Sequence, residues 1–230
     1  MRLAILSDIH EDLINLQKVL NKIEKKGCDK IICLGDISGF SEPFYRYRKI
    51  RDAPACLELI RKSCEIIIPG NHDLYAAGKI PKQPGESNEE YWNHEEDLDP
   101  GYSEEQIAFL ASLPIHRVLS TPTYGILLSH YVSPNLSGLI KGFYTQAKEF
   151  RPHFQWMQKT NCDLGFTGHA HARGFYTVTH TRFKQYGYRS LQLDDFPEIV
   201  GIPPVTRHKN RTGFCIFDTD SSLLQVFKKY

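Results

Sequence analysis

Met1-Arg2-Leu3-Ala4-Ile5-Leu6-Ser7-Asp8-Ile9-His10 opens the chain with a short β-type run, Leu3 to Leu6, that delivers a carboxylate and an imidazole two positions apart. The arrangement recurs downstream. Ile31 to Leu34 leads into Gly35-Asp36, and Ile66 to Ile68 into Gly70-Asn71-His72-Asp73; Ile126 to Leu128 leads into His130, and Leu164 to Thr167 into Gly168-His169-Ala170-His171. Parallel strands of one sheet end on the same edge, and open α/β sheets bind ligands beyond the carboxyl ends of their strands, so these distant residues are expected to meet in one place. In extended chain Asp8 and His10 point the same way and can reach one ion. The glycines at 35, 70 and 168 suit sharp strand exits, where φ turns positive and the backbone comes close to something bound.

The donor types narrow the chemistry. Carboxylate, carboxamide and imidazole without thiolate suit Mn²⁺, Fe, Zn²⁺ or Ni²⁺ better than an iron–sulfur cluster or an all-oxygen calcium cage. Each short motif alone also occurs as an ordinary turn, and His130 alone also reads as a partly buried structural histidine. Five such pieces, each at the end of an apolar run, are hard to produce by turn chemistry, and the combination reads as a metal site.

In this order and spacing, Asp-x-His, Gly-Asp, Gly-Asn-His-Asp, a lone His and Gly-His-x-His resemble the calcineurin-like metallophosphoesterases. The matched blocks run from Asp8 to His171, about three quarters of the chain. The resemblance implies an α/β fold, a four-layer αββα sandwich with two mixed β-sheets, holding a dinuclear centre. It implies that Asp8, His10 and His171 hold one metal, that Asn71, His130 and His169 hold the other, and that Asp36 bridges them. Two divalent or trivalent ions are expected, manganese first among them, supplying a metal-bound hydroxide for attack on phosphorus. By the same likeness His72 faces the substrate and serves the leaving oxygen, with Asp73 as the acid that orients it.

Length and composition accommodate this reading. All 230 residues are taken as one domain, with insertions at about 40–54 and 74–102 near the site. A hydrophobic fraction of 41% and a charged fraction of 24% are ordinary for a globular protein. A formal net charge of +1 gives no general pull toward nucleic acid or anionic membrane. Six cysteines form no Cys-x-x-Cys pair and several sit in apolar runs, which fits reduced thiols and a cytoplasmic setting. The amino terminus has too short an apolar run for a signal peptide, and no stretch approaches a membrane span.

Leu13, Leu16, Val19, Leu20 and Ile23 recur at helical spacing, and Cys56 to Cys64 reads as the next helix. The aromatic and basic stretch Phe40 to Pro54 reads first as a segment packed on the body and second as a substrate-gripping surface. Leu74 to Pro100 reads as a lid or substrate loop, in which Tyr91 and Trp92 either stack on a base or pin the loop. Ser103-Glu104-Glu105-Gln106 is a capping box. Phe143 to Lys159 reads as a helix, Phe175 to Val178 as a strand followed by a loop, and Gly213 to Asp218 with Leu223 to Phe227 as a closing hairpin of the second sheet.

Substrate signals are sparser. Gly35-Asp36-Ile37-Ser38-Gly39-Phe40 lacks the Val-Asp-Arg-Gly continuation of the protein Ser/Thr phosphatases, which weighs against a phosphoprotein. Arg173, Arg207, Lys209 and Arg211 either bind phosphate or coat the surface. The expectation is a phosphomonoesterase or phosphodiesterase acting on a small phosphorylated molecule or nucleotide. A nuclease, which would need a basic groove, and a catalytically silent metal-stabilised module are the alternatives. Oligomeric state leaves no mark in the sequence.

Overall fold

The computed structural model describes residues 1–80, 90–207 and 211–228. Its first sheet has the order β3-β2-β1-β11-β12-β9, comprising Ile66–Ile67, Lys30–Cys33, Arg2–Leu6, Gly213–Asp218, Leu223–Lys228 and Ser190–Gln192. The second has the order β4-β5-β6-β10-β7-β8, comprising His116–Ser120, Gly125–Ser129, Leu164–Thr167, Glu198–Gly201, Phe175–Val178 and Phe183–Tyr186. Strands β1, β2 and β3 run parallel, as do β5, β6 and β10, and the remaining pairings are antiparallel.

Period-two alternation explains why the sheets stack. In β1, Leu3 and Ile5 enter the core between the sheets, where they join Leu128, Phe166 and Phe217, while Ala4 and Leu6 face the other way. That outer face is covered by α1 (Leu13–Glu24) and α2 (Ala53–Ser63) through Leu16, Val19, Ile23, Leu57 and Ile60. The outer face of the second sheet carries Leu127, Tyr176 and Ile199 and is covered by α5 (Arg151–Lys159) through Phe154 and Met157. With α3 (Asn71–Ala76) and α4 (Glu104–Ser112), these are the helices of a four-layer αββα arrangement.

Four expectations need correction. The ligand-bearing strands do not share one sheet: β1, β2 and β3 belong to the first, β5 and β6 to the second. The hairpin β11–β12 closes the first sheet, not the second, because β11 pairs antiparallel with β1. The supposed loop after Val178 contains β8, β9 and β10, and β10 sits centrally between β6 and β7. The aromatic segment from Phe143 turns helical only at Ala147, in a short 3-10 turn that leads into α5 with a proline in its first turn. All six cysteines are free, and among the described residues no helix is long and apolar enough to cross a membrane.

Candidate metal centre

The site forms where the carboxyl ends of both sheets meet. Backbone hydrogen bonds knit the exits together: Asp8 N–H donates to Gly35 O (2.9 Å), His10 N–H to Asp36 O (2.9 Å) and Gly168 N–H to His130 O (2.8 Å). Asp8 and His10 are not extended residues of a strand, as expected, since β1 ends at Leu6 and both adopt left-handed backbone (φ 56° and 47°). Asp36, His169 and His171 do the same (φ 52°, 62° and 46°), so five of the seven expected ligands occupy a region L-residues rarely adopt. Of the three exit glycines only Gly35 has positive φ (97°). The others are required by crowding: a Cβ on Gly70 would lie 2.1 Å from Asp36 Oδ1, and one on Gly168 2.0 Å from Ser7 Oγ.

Two donor groups result. In one, His171 Nε2 lies 3.0 Å from His10 Nε2 and 3.4 Å from Asp8 Oδ1. In the other, His130 Nε2 lies 3.2 Å from Asp36 Oδ2 and 3.3 Å from His169 Nδ1. Asn71 is buried, and its Oδ1 has no hydrogen-bond partner. Asp36 stands between the groups, its Oδ2 also 3.9 Å from His10 Nε2. All seven sequence-expected ligands therefore converge.

Second partners orient these donors. His10 Nδ1–H donates to Gly39 O (2.8 Å) and His130 Nδ1–H to Leu34 O (2.6 Å), because a carbonyl can only accept. In the neutral rings both Nε2 atoms then present bare lone pairs toward carboxylates and other imidazoles. The carboxylates are fixed in turn: His169 N–H donates to both oxygens of Asp8 (3.1 Å), and His72 N–H to Asp36 Oδ1 (3.0 Å). A buried cluster of acceptors facing acceptors is costly unless a cation occupies its centre. Without one, burial and then the neighbouring histidines act on Asp36 in opposite senses, and the histidines prevail, holding it well below the usual carboxylate range. Burial disfavours charge on His130 as well, but Asp36 overrides it and pushes the ring up to about 9. Burial takes His10 and His169 down to about 3. The residues thus fit two metal ions, on donor chemistry and on the unpartnered Asn71 oxygen.

The acid at His72 is a different one from that expected. Asp73 accepts backbone N–H groups from Ser38 (2.9 Å), Gly70 (3.0 Å) and Ile37 (3.3 Å), so it braces two strand exits against each other and does not orient His72. His72 Nδ1 instead lies 2.5 Å from Asp97 Oδ2, and His94 Nδ1 lies 3.2 Å from the same oxygen. Burial raises the Asp97 carboxyl, but the hydrogen bonds it accepts from His72 and His94 outweigh burial and hold it at about 2. Nothing in the motifs pointed to this pair; the one available signal was that His94 is the sole histidine between Leu74 and Tyr102.

A cavity of about 300 Å³ opens onto the two groups. From the first insertion Phe44 and Tyr45 reach it, with the Tyr45 ring 5.0 Å from that of His10. Of the three arginines there, Arg51 pairs with Glu11 of the body (2.6 Å), Arg48 pairs with Glu42 inside the insertion (2.5 Å), and none lines the cavity. From the second, Trp92 lines the cavity, whereas Tyr91 bridges to Ile140 and does not. Arg211 lines it and donates to His171 O (3.1 Å). Arg207 forks onto Asp12 (2.7 and 2.8 Å), the N-cap of α1, and Arg173 lines a separate depression beside Tyr186. Lys209 lies outside the described residues.

The family model described as calcineurin-like phosphoesterase matches residues 1–173, and the chain belongs to that family. Its fold is that of metallophosphoesterase structures. A metallophosphoesterase from Sphaerobacter thermophilus superposes with a TM-score of 0.73 at 22% identity, over 99% of this chain and 87% of the other. A hypothetical protein from Pyrococcus horikoshii OT3 gives 0.66 at 14% identity over 99% and 87% of the two chains. An uncharacterized protein of Methanocaldococcus jannaschii is 40% identical over 77 residues, which span 34% of this chain and only 28% of the relative.

Proposed function

We propose that the protein hydrolyses phosphate esters of a small phosphorylated molecule at a dinuclear centre. Asp8, His10 and His171 hold one ion, Asn71, His130 and His169 the other, and Asp36 bridges them. The observation that carries this reading is the convergence of six buried donors and the half-buried His171, drawn from both sheets, into two groups linked by the Asp36 carboxylate. Manganese is the ion placed first, and free, mostly buried thiols accord with a cytoplasmic setting.

When bound, such a pair of cations supplies hydroxide near neutral pH and clamps phosphoryl oxygens. The chain's own residues do the rest. Asp36 and Asp8 are locked by backbone N–H groups, so their oxygens need no reorganisation when charge develops. His72 lines the cavity with Nδ1 held by Asp97, which leaves Nε2 to give a proton to the leaving oxygen. Among the described residues lining the cavity, Arg211 is the only arginine or lysine, beside the acids Glu96 and Asp97. That lining favours a substrate of low charge over a polynucleotide.

Hydrolysis of p-nitrophenyl phosphate and of bis(p-nitrophenyl) phosphate, with Mn²⁺ added and then chelated, tests the reading and separates monoesterase from diesterase. His72→Ala is expected to keep its metal and lose most turnover, roughly 10²–10⁴-fold. Asp36→Asn is expected to lose both metal and turnover. Unchanged rates in both variants would contradict the assignment.

A further inference from the structure

The mouth of the cavity is apolar in a way the metal chemistry does not require. Phe44, Trp92 and Phe143 come from three separate excursions of the chain, yet all three line the same opening. Phe44 is 62% exposed and Phe143 49%, among the most exposed large hydrophobic side chains of the protein. Trp92 packs at 5.7 Å from Phe143, and both rings approach His169, at 5.9 and 5.4 Å. Exposed phenyl rings gathered at one opening mark a surface kept for a ligand.

Trp92 is a poor choice for a mere loop pin. Its indole N–H is buried with no hydrogen-bond partner, a cost that a phenylalanine in the same place would avoid. What an indole offers beyond a phenyl is a larger π-face, and stacking on it is tolerant of the partner ring's identity. The same opening carries Arg211, Glu96 and Asp97, which leaves little attraction for a second or third phosphate.

We infer that this opening selects phosphoesters whose organic part is a planar aromatic ring, a nucleobase or an aryl group, seated between Phe44 and the Trp92–Phe143 pair while the phosphate meets the metal ligands. The inference rests on the phosphoesterase reading and names its substrate class. A sugar phosphate or glycerol phosphate fills the phosphate end alone and binds more weakly.

Inhibition of chromogenic ester hydrolysis by the Mn²⁺-loaded protein tests this, with adenosine 5′-monophosphate, phenyl phosphate, ribose 5-phosphate and glycerol phosphate as competitors. The two ring-bearing competitors are expected to bind roughly tenfold more tightly than the two ringless ones. Stronger inhibition by the adenosine nucleotide than by phenyl phosphate assigns the opening to a base, and the reverse assigns it to a small aryl group. Trp92→Ala or Phe143→Ala should collapse the preference, and Trp92→Phe should retain most of it. A second readout needs no turnover: with Trp156→Phe, Trp92 is the sole indole, and the nucleotide should quench its fluorescence while ribose 5-phosphate does not. Equal inhibition by all four compounds with hydrolysis intact, or an unquenched Trp92, overturns the inference. Absence of hydrolysis with quenching retained overturns the phosphoesterase reading instead.

Discussion

Asp8, His10, Asp36, His169 and His171 all sit at positive φ, a conformation that costs of order 1 kcal/mol or more for a residue with a Cβ. The cost is tolerated because the left-handed turns swing donors from strand ends into a common centre, and the backbone bonds between Asp8, Gly35, Asp36 and His10 hold them there. The convergence of these side chains was legible in the sequence, since carboxylates and imidazoles recur at the ends of five apolar runs. Their backbone conformation was not, because positive φ was anticipated only at glycines, and two of those three glycines serve close packing. Gly70 shows the consequence. An added Cβ would meet the Asp36 carboxylate at 2.1 Å, so Gly70→Ala should displace the bridging acid and lower Mn²⁺ affinity at least tenfold while leaving the far-ultraviolet circular dichroism unchanged. Titration of bound manganese checks this, and wild-type affinity in Gly70→Ala would refute it.

At the scale of elements, helices with a strong apolar stripe were readable, as in α1, whose buried positions 16, 19 and 23 follow the 3.6-residue period. The box at Ser103 is present as read: Ser103 Oγ accepts from Gln106 N–H at 3.3 Å, and Gln106 Oε1 accepts from Ser103 N–H at 3.1 Å. Ser103→Ala should cost about 1 kcal/mol in urea unfolding, without change in turnover, because α4 lies outside the cavity lining. Strands β8 and β9 escaped notice for a physical reason. Each is a short edge strand with mostly solvent-facing side chains, Phe183-Lys184-Gln185-Tyr186 and Ser190-Leu191-Gln192, and neither carries a long apolar run. The start of α5 was misread because the rings of Phe143 and Tyr144 suggested continuity, whereas Phe143 belongs to the cavity mouth.

At the scale of the molecule, the site exists only where the two sheets pack, so the second donor group depends on β5 and β6 being held against β1 and β2. Which strands share a sheet is not encoded in any local pattern, and the chain's last hairpin joins the first sheet through a pairing more than 200 residues apart in sequence. Glu198, buried at the start of the central strand β10, gives global stability a pH slope. Burial and then the nearby Asp195 and Asp194 raise its carboxyl from 4.5 to about 7. The folded state therefore holds this proton more tightly than the unfolded chain between those values, and stability from this group is fullest below about 4.5 and declines as pH rises through 7. Glu198→Gln should match the wild type in thermal melts near pH 4.5 and exceed it above pH 7; coincident melting temperatures at both ends would show that the carboxyl is not perturbed.

Everything proposed for activity presumes that the strand exits of both sheets close on a pair of cations sharing Asp36. The most direct test is the manganese content of desalted protein after reconstitution. Two ions per chain are expected for the wild type, with loss of at least one in Asp36→Asn. Protein that retains no manganese, or two ions undiminished in Asp36→Asn, would contradict the account.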